Sequence, residues 1–217
     1  MLVSVNWTTV SSLATGGGTL VLAIATFASV RSANRAARIS ERALQVGLRP
    51  VLFASRLDDP EQKIRWGDDH WAHLLGGRAA IEESGGNVYM AMSLRNVGSG
   101  IAVLQSWRVE VRVPLGMGAA ERPAVETFRA QTRDLYVPSG DISFWQAAMR
   151  DADDPERPAV LEAIMSRQGI FVDLLYSDHE GGQRTISRFL ASPRGAEDKG
   201  WHCSVVRHWY LDRAGPR

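Results

Sequence analysis

Charge is missing from the first thirty residues: no Asp, Glu, Lys or Arg precedes Arg31. Cysteine is nearly absent, and the lone Cys203 excludes an intrachain disulfide framework and agrees with a reducing compartment. Lysine is scarce, since only Lys63 and Lys199 among the 25 basic residues are lysine, a bias read first as coding composition. The 24 acidic residues nearly cancel the basic ones, so no global positive field points to nucleic acid. No internal repeat or low-complexity tract stands out.

The uncharged stretch is long enough to matter. Thr8 to Val30 exceeds the roughly 20 helical residues that cross a hydrocarbon core. Leu20 to Val30 is strongly apolar, whereas Thr8 to Thr15 leans polar and Gly16, Gly17 and Gly18 interrupt the run or kink it. Trp7 lies where an interfacial aromatic would sit. A cleavable signal carries its positive charge before the apolar region, but here the arginines follow it, which argues for a retained anchor. Basic residues beside a span resist translocation, so the expected topology is a single-pass cell-membrane protein with its N-terminus outside and its C-terminal domain cytoplasmic. The competing reading is a buried N-terminal helix of a soluble protein.

Arg31, Arg35, Arg38 and Arg42 recur at steps of four, three and four, so they share one stripe of a helix. Ala33, Ala36, Ala37, Ala43 and Leu44 fall away from it. That helix is expected to reach about Gly47, before Pro50. The arginines are candidates for contact with anionic headgroups of the lipid bilayer, against a plain solvated topology signal. The small-residue side permits self-association, so a homo-oligomer through the N-terminal helix is one expectation.

Beyond the anchor the chain reads as strands. From Trp107 to Val113, Trp107, Val109, Val111 and Val113 alternate with Arg108, Glu110 and Arg112, the pattern of a half-solvated antiparallel strand. Val88 to Asn96 alternates less cleanly, with Val88, Met90, Met92 and Leu94 on a buried face and Ala91, Ser93 and Arg95 on a mixed one. Further strands are expected at Arg49 to Leu57, Arg133 to Val137, Ile142 to Gln146, Ile170 to Ser177, Gln183 to Leu190 and Trp201 to Leu211. Short helices are expected at His70 to Leu75, capped by Asp68, and at Pro158 to Gln168. Ile81 to Asn87, Pro114 to Thr127 and Ala191 to Gly200 read as loops. The fold expected is mainly β: an immunoglobulin-like antiparallel β-sandwich on one N-terminal transmembrane helix that continues as a juxtamembrane helix. The domain plan is 1–7 extracytoplasmic, 8–30 membrane-spanning, 31–48 basic juxtamembrane helix and 49–217 β-sandwich.

Chemistry is thin. Asn96 to Gly100 spaces its glycines like part of a phosphate loop, but a strand follows where a helix would be required, so a strand connection is favoured. His70 and His73 on one helical face are too few for zinc. His202 and His208 stand about 20 Å apart on one side of the last strand, with Cys203, Trp201, Val205, Trp209 and Leu211 on the other. Asp178, His179 and Glu180, at a hairpin tip, are the catalytic candidates, approached by Asp173 or His208. The same composition makes a polar turn before Gly181 and Gly182 without any chemistry. Trp66 and Trp71 flank an acidic segment and are candidates for partner contact. No metal site and no cofactor are expected. The leading reading is a non-enzymatic interaction or scaffolding module at the inner membrane face with an unknown protein partner. The alternatives are a membrane-tethered hydrolase or metal-dependent enzyme and, with reversed orientation, an extracytoplasmic sensor or envelope-binding module.

Overall fold

The computed structural model describes residues 7–111, 121–195 and 200–212. It divides between Gly47 and Leu48 into an N-terminal helix and a β-rich unit. Helix α1, Trp7–Gly47, is unbroken through Gly16, Gly17 and Gly18 and extends about 60 Å at 1.5 Å per residue. Its apolar side chains Leu20, Val21, Leu22, Ile24 and Phe27 are all exposed. Thr15, Thr19 and Thr26 donate their hydroxyls to the carbonyls of Ser11, Thr15 and Leu22 at 2.8–2.9 Å. Those polar atoms are thereby satisfied inside the helix and need no water. One helix is thus long and apolar enough to cross a membrane.

The second unit contains eleven described strands: β1 Leu52–Ala54, β2 Gln62–Arg65, β3 Trp71–Leu74, β4 Arg78–Ser84, β5 Asn87–Asn96, β6 Ala102–Val111, β7 Arg129–Val137, β8 Ile142–Met149, β9 Ile170–Ser177, β10 Thr185–Pro193 and β11 Trp201–Tyr210. Helix α2, Arg157–Met165, falls within the expected helical stretch and has Pro158 in its first turn, where a missing N–H costs nothing. The segment 112–120, including Arg112 and Val113 of the expected strand and the first half of the expected loop from Pro114, lies outside the described residues, as do 196–199.

Two expectations fail in the same region. His70 to Leu75 is not helical; Ala72 and Leu74 turn inward while Trp71 and His73 face out, and this period of two pairs β3 with β2. Ile81 to Asn87 is not a loop either. Gly85 and Gly86 adopt φ values of 57° and 81°, which a two-residue hairpin turn requires, and carry β4 directly into β5.

All neighbouring strands run antiparallel in one curled sheet, with β2 and β3 as a separate ribbon. One half places β5 between β8 on one edge and β4 with β1 on the other. The other half runs β11, β10, β9, β6, β7. The ladder between β4 and β11 that joins the halves is short, Trp201 opposite Ala79 and His202 opposite Arg78, and is extended by Cys203 N donating to the Gly77 carbonyl and Trp201 Nε1 to that of Ile81, each at 2.9 Å. The curl encloses a core that includes Met90, Met92, Trp107, Trp145, Val172, Tyr176 and Phe189. The β2–β3 ribbon covers the outer side of β5, burying Tyr89 and Ala91 with Ile64, Trp66 and Leu74. Both faces of β5 are therefore dry, where its sequence suggested one mixed face.

A bulge changes the reading of β11. Arg188 opposes Arg207 but Phe189 opposes Val205, so Val206 is an extra residue and the side-chain alternation reverses there. Trp201, Cys203 and Val205 point inward with Phe189 and Ala191, and beyond the bulge His208 and Tyr210 take the inward side. Trp209 then faces outward beside Arg188 and Arg207. The expected common side for His202 and His208 is thus corrected, because strict alternation does not survive an inserted residue.

Candidate functional site

The glycine-bearing connection 96–100 clamps the start of the β unit. Asn96 Oδ1 accepts from the amides of Val51 and Gly98 at 3.1 and 3.0 Å, while Nδ2 donates to the carbonyls of Gly100 and Val137 at 2.6 and 3.0 Å. A Cβ on Gly98 would stand 2.2 Å from the Arg49 carbonyl oxygen, and one on Gly100 only 1.8 Å from that of Leu48. Glycine is required for backbone contact, which accounts for the motif without a phosphate.

Asp178 staples its own turn. Its Oδ1 accepts from Gly182 N at 2.8 Å, and its carbonyl accepts from Gly181 N at 3.1 Å, with Gly181 at φ 79°. His179 and Glu180 are exposed and stand 4.0 Å apart. Neither expected neighbour joins them. Asp173 lies on the outer face of β9, where Arg188 binds it through two 2.7 Å hydrogen bonds and Arg108 through one of 3.1 Å. His208 points inward, its Nδ1 2.7 Å from Ser187 Oγ, which lies 2.8 Å from Tyr176 Oη. Burial pushes the Tyr176 hydroxyl up to about 12 and holds the His208 imidazole below its usual value. Burial likewise raises the Cys203 thiol to about 12, so it packs as a small apolar group. His70 stacks on Tyr89 and meets Glu82 at 2.9 Å, whereas His73 meets Glu61. Among the described residues no group of three His, Cys, Asp or Glu side chains could hold a metal ion.

The expected tryptophan pair splits across the β2–β3 ribbon. Trp66 is 3 % exposed and donates Nε1 to the Ala147 carbonyl at 3.0 Å, so it belongs to the core; Trp71 is 52 % exposed beneath the Arg65 guanidinium. A shared two-tryptophan patch is therefore corrected to one exposed indole. Residues 66 and 71 bracket a turn, and the strand alternation sends them to opposite faces.

A larger concavity lies where the sheet fails to close. β7 and β8 follow one another in sequence but pair with β6 and β5, not with each other. The seam is bridged by the Gln131 side chain, which donates to the Gln146 carbonyl at 2.8 Å and accepts from Trp145 Nε1 at 3.3 Å. Beside this bridge opens a cleft of about 860 Å³ lined by Arg65, Arg129, Arg133 and Arg150, with Trp107, Gln131, Gln146 and one carboxylate, Asp68. Arg129 lies over the Trp107 ring and is held by Asp154 and Glu156. The Arg129 guanidinium keeps Asp154 below the usual carboxylate range. Asp68 is lowered chiefly by the Tyr89 hydroxyl, with help from Arg150. Gln146 Oε1 is buried and has no hydrogen-bond partner, and Arg133 is exposed without one among the described residues. Sequence reading missed this site, although Arg129, Gln131 and Arg133 alternate along β7 and were a usable signal.

On α1, Arg31, Arg35 and Arg38 line one exposed side with Phe27, Val30 and Asn34. The Arg42 and Trp7 side chains lie outside the described ones.

No family model and no curated protein matches the chain. A solved structure of a protein from Archaeoglobus fulgidus is similar at 11 % identity and a TM-score of 0.25, covering 63 % of this chain and 94 % of that one. A β-glucosidase from Kluyveromyces marxianus is similar at 11 % identity and a TM-score of 0.23, the match covering 60 % of this chain and 14 % of the enzyme.

Proposed function

We propose that the protein is a single-pass membrane-anchored interaction module whose β unit works at the inner membrane face. The observation that carries this reading is the uncharged, outward-facing apolar surface of α1, followed by Arg31, Arg35 and Arg38 on one side. Burying a large aliphatic or aromatic side chain is worth about 1.5–3 kcal/mol, so Leu20, Val21, Leu22, Ile24, Phe27 and Val30 together favour lipid by on the order of 10 kcal/mol. The internally bonded threonine hydroxyls remove what would otherwise oppose burial there. The arginine stripe, extended by Arg42, would meet anionic headgroups at about 1 kcal/mol per residue and keep that end in the cytoplasm.

The finer fold belongs to the same proposal: the curled sheet serves as the two facing layers of an immunoglobulin-like sandwich, a reading supported by the core between its halves. An interaction role is favoured over catalysis because Asp178 is used by its own turn and Asp173 and His208 are engaged elsewhere. Exposed Trp71 is one contact such a module would offer. Alkaline extraction of membranes tests the anchor: the full-length chain should stay in the pellet, and its release would reject a span. A C-terminal reporter active only in the cytoplasm is expected; activity only outside would reverse the orientation and make the β unit an extracytoplasmic module.

A further inference from the structure

We propose that the cleft between β7 and β8 binds an extended acidic polypeptide segment, an assignment that rests on the interaction-module reading and names the partner's chemistry. Four cationic side chains line it against one carboxylate. Asp69, Asp68 and the Asp154–Glu156 pair already meet Arg65, Arg150 and Arg129, so Arg133, with no acidic partner among the described residues, is the cation open to a ligand carboxylate. Guanidinium groups recognise carboxylates through paired N–H donors. Their distribution suits an extended ligand. Arg129 lies on β7 opposite Trp107, whereas Arg133 lies in the stretch between Ala130 and Leu135 where β7 shifts its register against β6, so the two cations stand at different points along the cleft.

The second observation concerns hydrogen bonding. Gln146 lines the cleft, and its Oε1, closed off from solvent, has no donor among the described residues. When the side chain turns into the cleft that oxygen takes an N–H group, which every peptide unit supplies and a phosphodiester backbone lacks. The seam offers strand edges and amide side chains on both walls, the surroundings in which an added chain satisfies its own backbone. The nearly balanced charge of the whole protein also disfavours a nucleic acid.

The test uses the full-length protein in neutral detergent micelles and a fluorescent hexaglutamate peptide carrying one photo-reactive benzoylphenylalanine. Binding should weaken at least tenfold in Arg133→Glu and several-fold in Gln146→Leu, and stay within twofold in Arg56→Glu, a charge reversal at an exposed arginine outside the cleft. Cross-links should map to 129–133 or 146–150. The assignment is overturned by equal binding to wild type and Arg133→Glu, by cross-links confined to the arginines of 31–42, by displacement with an equal charge concentration of inorganic phosphate, or by tighter binding of oligothymidylate. Tryptophan fluorescence checks that each variant is folded, and Arg133→Lys, which keeps the charge but not the paired donors, should bind between wild type and Arg133→Glu. Membrane extraction and topology are measured separately, so failure of the anchor and failure of the cleft give different results.

Discussion

Gly100→Ala discriminates a structural clamp from a ligand loop. The new Cβ would lie 1.8 Å from the Leu48 carbonyl oxygen and 2.9 Å from its carbon, where ordinary contact begins at 3.4 Å, and both obstacles are backbone. No rotamer change relieves that. The 48–51 segment has to retreat by more than an ångström, and overpacking of this kind costs about 1–3 kcal/mol or more. The retreat also stretches the bonds from Asn96 to Val51 and Gly100, each worth about 1 kcal/mol net. The sum, about 3–5 kcal/mol, is a large part of the roughly 5–15 kcal/mol that holds a domain folded. Urea titration of the full-length protein in mild detergent, followed by tryptophan fluorescence, should show the midpoint fall steeply without a matching change in slope. Gly85→Ala, where nothing lies within 4 Å and only φ 57° resists, should lose about 1 kcal/mol. A Gly100→Ala protein as stable as wild type would refute the clamp.

Asp173 is 1 % exposed, and its removal in Asp173→Ala leaves Arg188 buried with Glu110 as its remaining acidic neighbour; a loss of about 3 kcal/mol is expected, whereas the double variant Asp173→Leu/Arg188→Met should lie within about 1 kcal/mol of wild type in the same titration. His208 is held neutral by burial, so its folded pKa lies below the unfolded value near 6.5 and the unfolded chain binds more protons in between; stability should be flat above pH 7 and fall as pH drops from about 6.5 through the lowered value. His208→Gln should flatten that limb of the urea midpoint against pH. Cys203 should resist maleimide in the native protein and react in urea, and fast native labelling would contradict its burial. Leu22→Arg places a charge near the middle of the uncharged run at about 2.5–3.5 kcal/mol, so alkaline extraction should release a larger fraction of this variant than of wild type.

Local patterns were readable where one cause dominates. Trp107 to Val111 alternates because one face of β6 is core, and Pro158 to Gln168 has helical spacing over α2. The candidate site was legible only in fragments. Arg129, Gln131 and Arg133 carry their alternation openly, yet Arg65 reaches the same cleft from β2, far away in sequence, and Arg150 from just past the end of β8. The errors have local causes: β3 is four residues long, too short to display its period against Asp68, and Val206 reverses the alternation of β11 without any marker residue.

By itself the sequence determined that an uncharged, apolar helix followed by arginines precedes a strand-rich region, because helix length, charge order and side-chain period are properties of consecutive residues. Only the tertiary structure decided that Asp178 serves its turn, that Trp66 is buried while Trp71 is exposed, and that an arginine-lined cleft opens between β7 and β8. Those outcomes depend on which strands meet, and strand pairing joins residues whose separation along the chain carries no periodic signal.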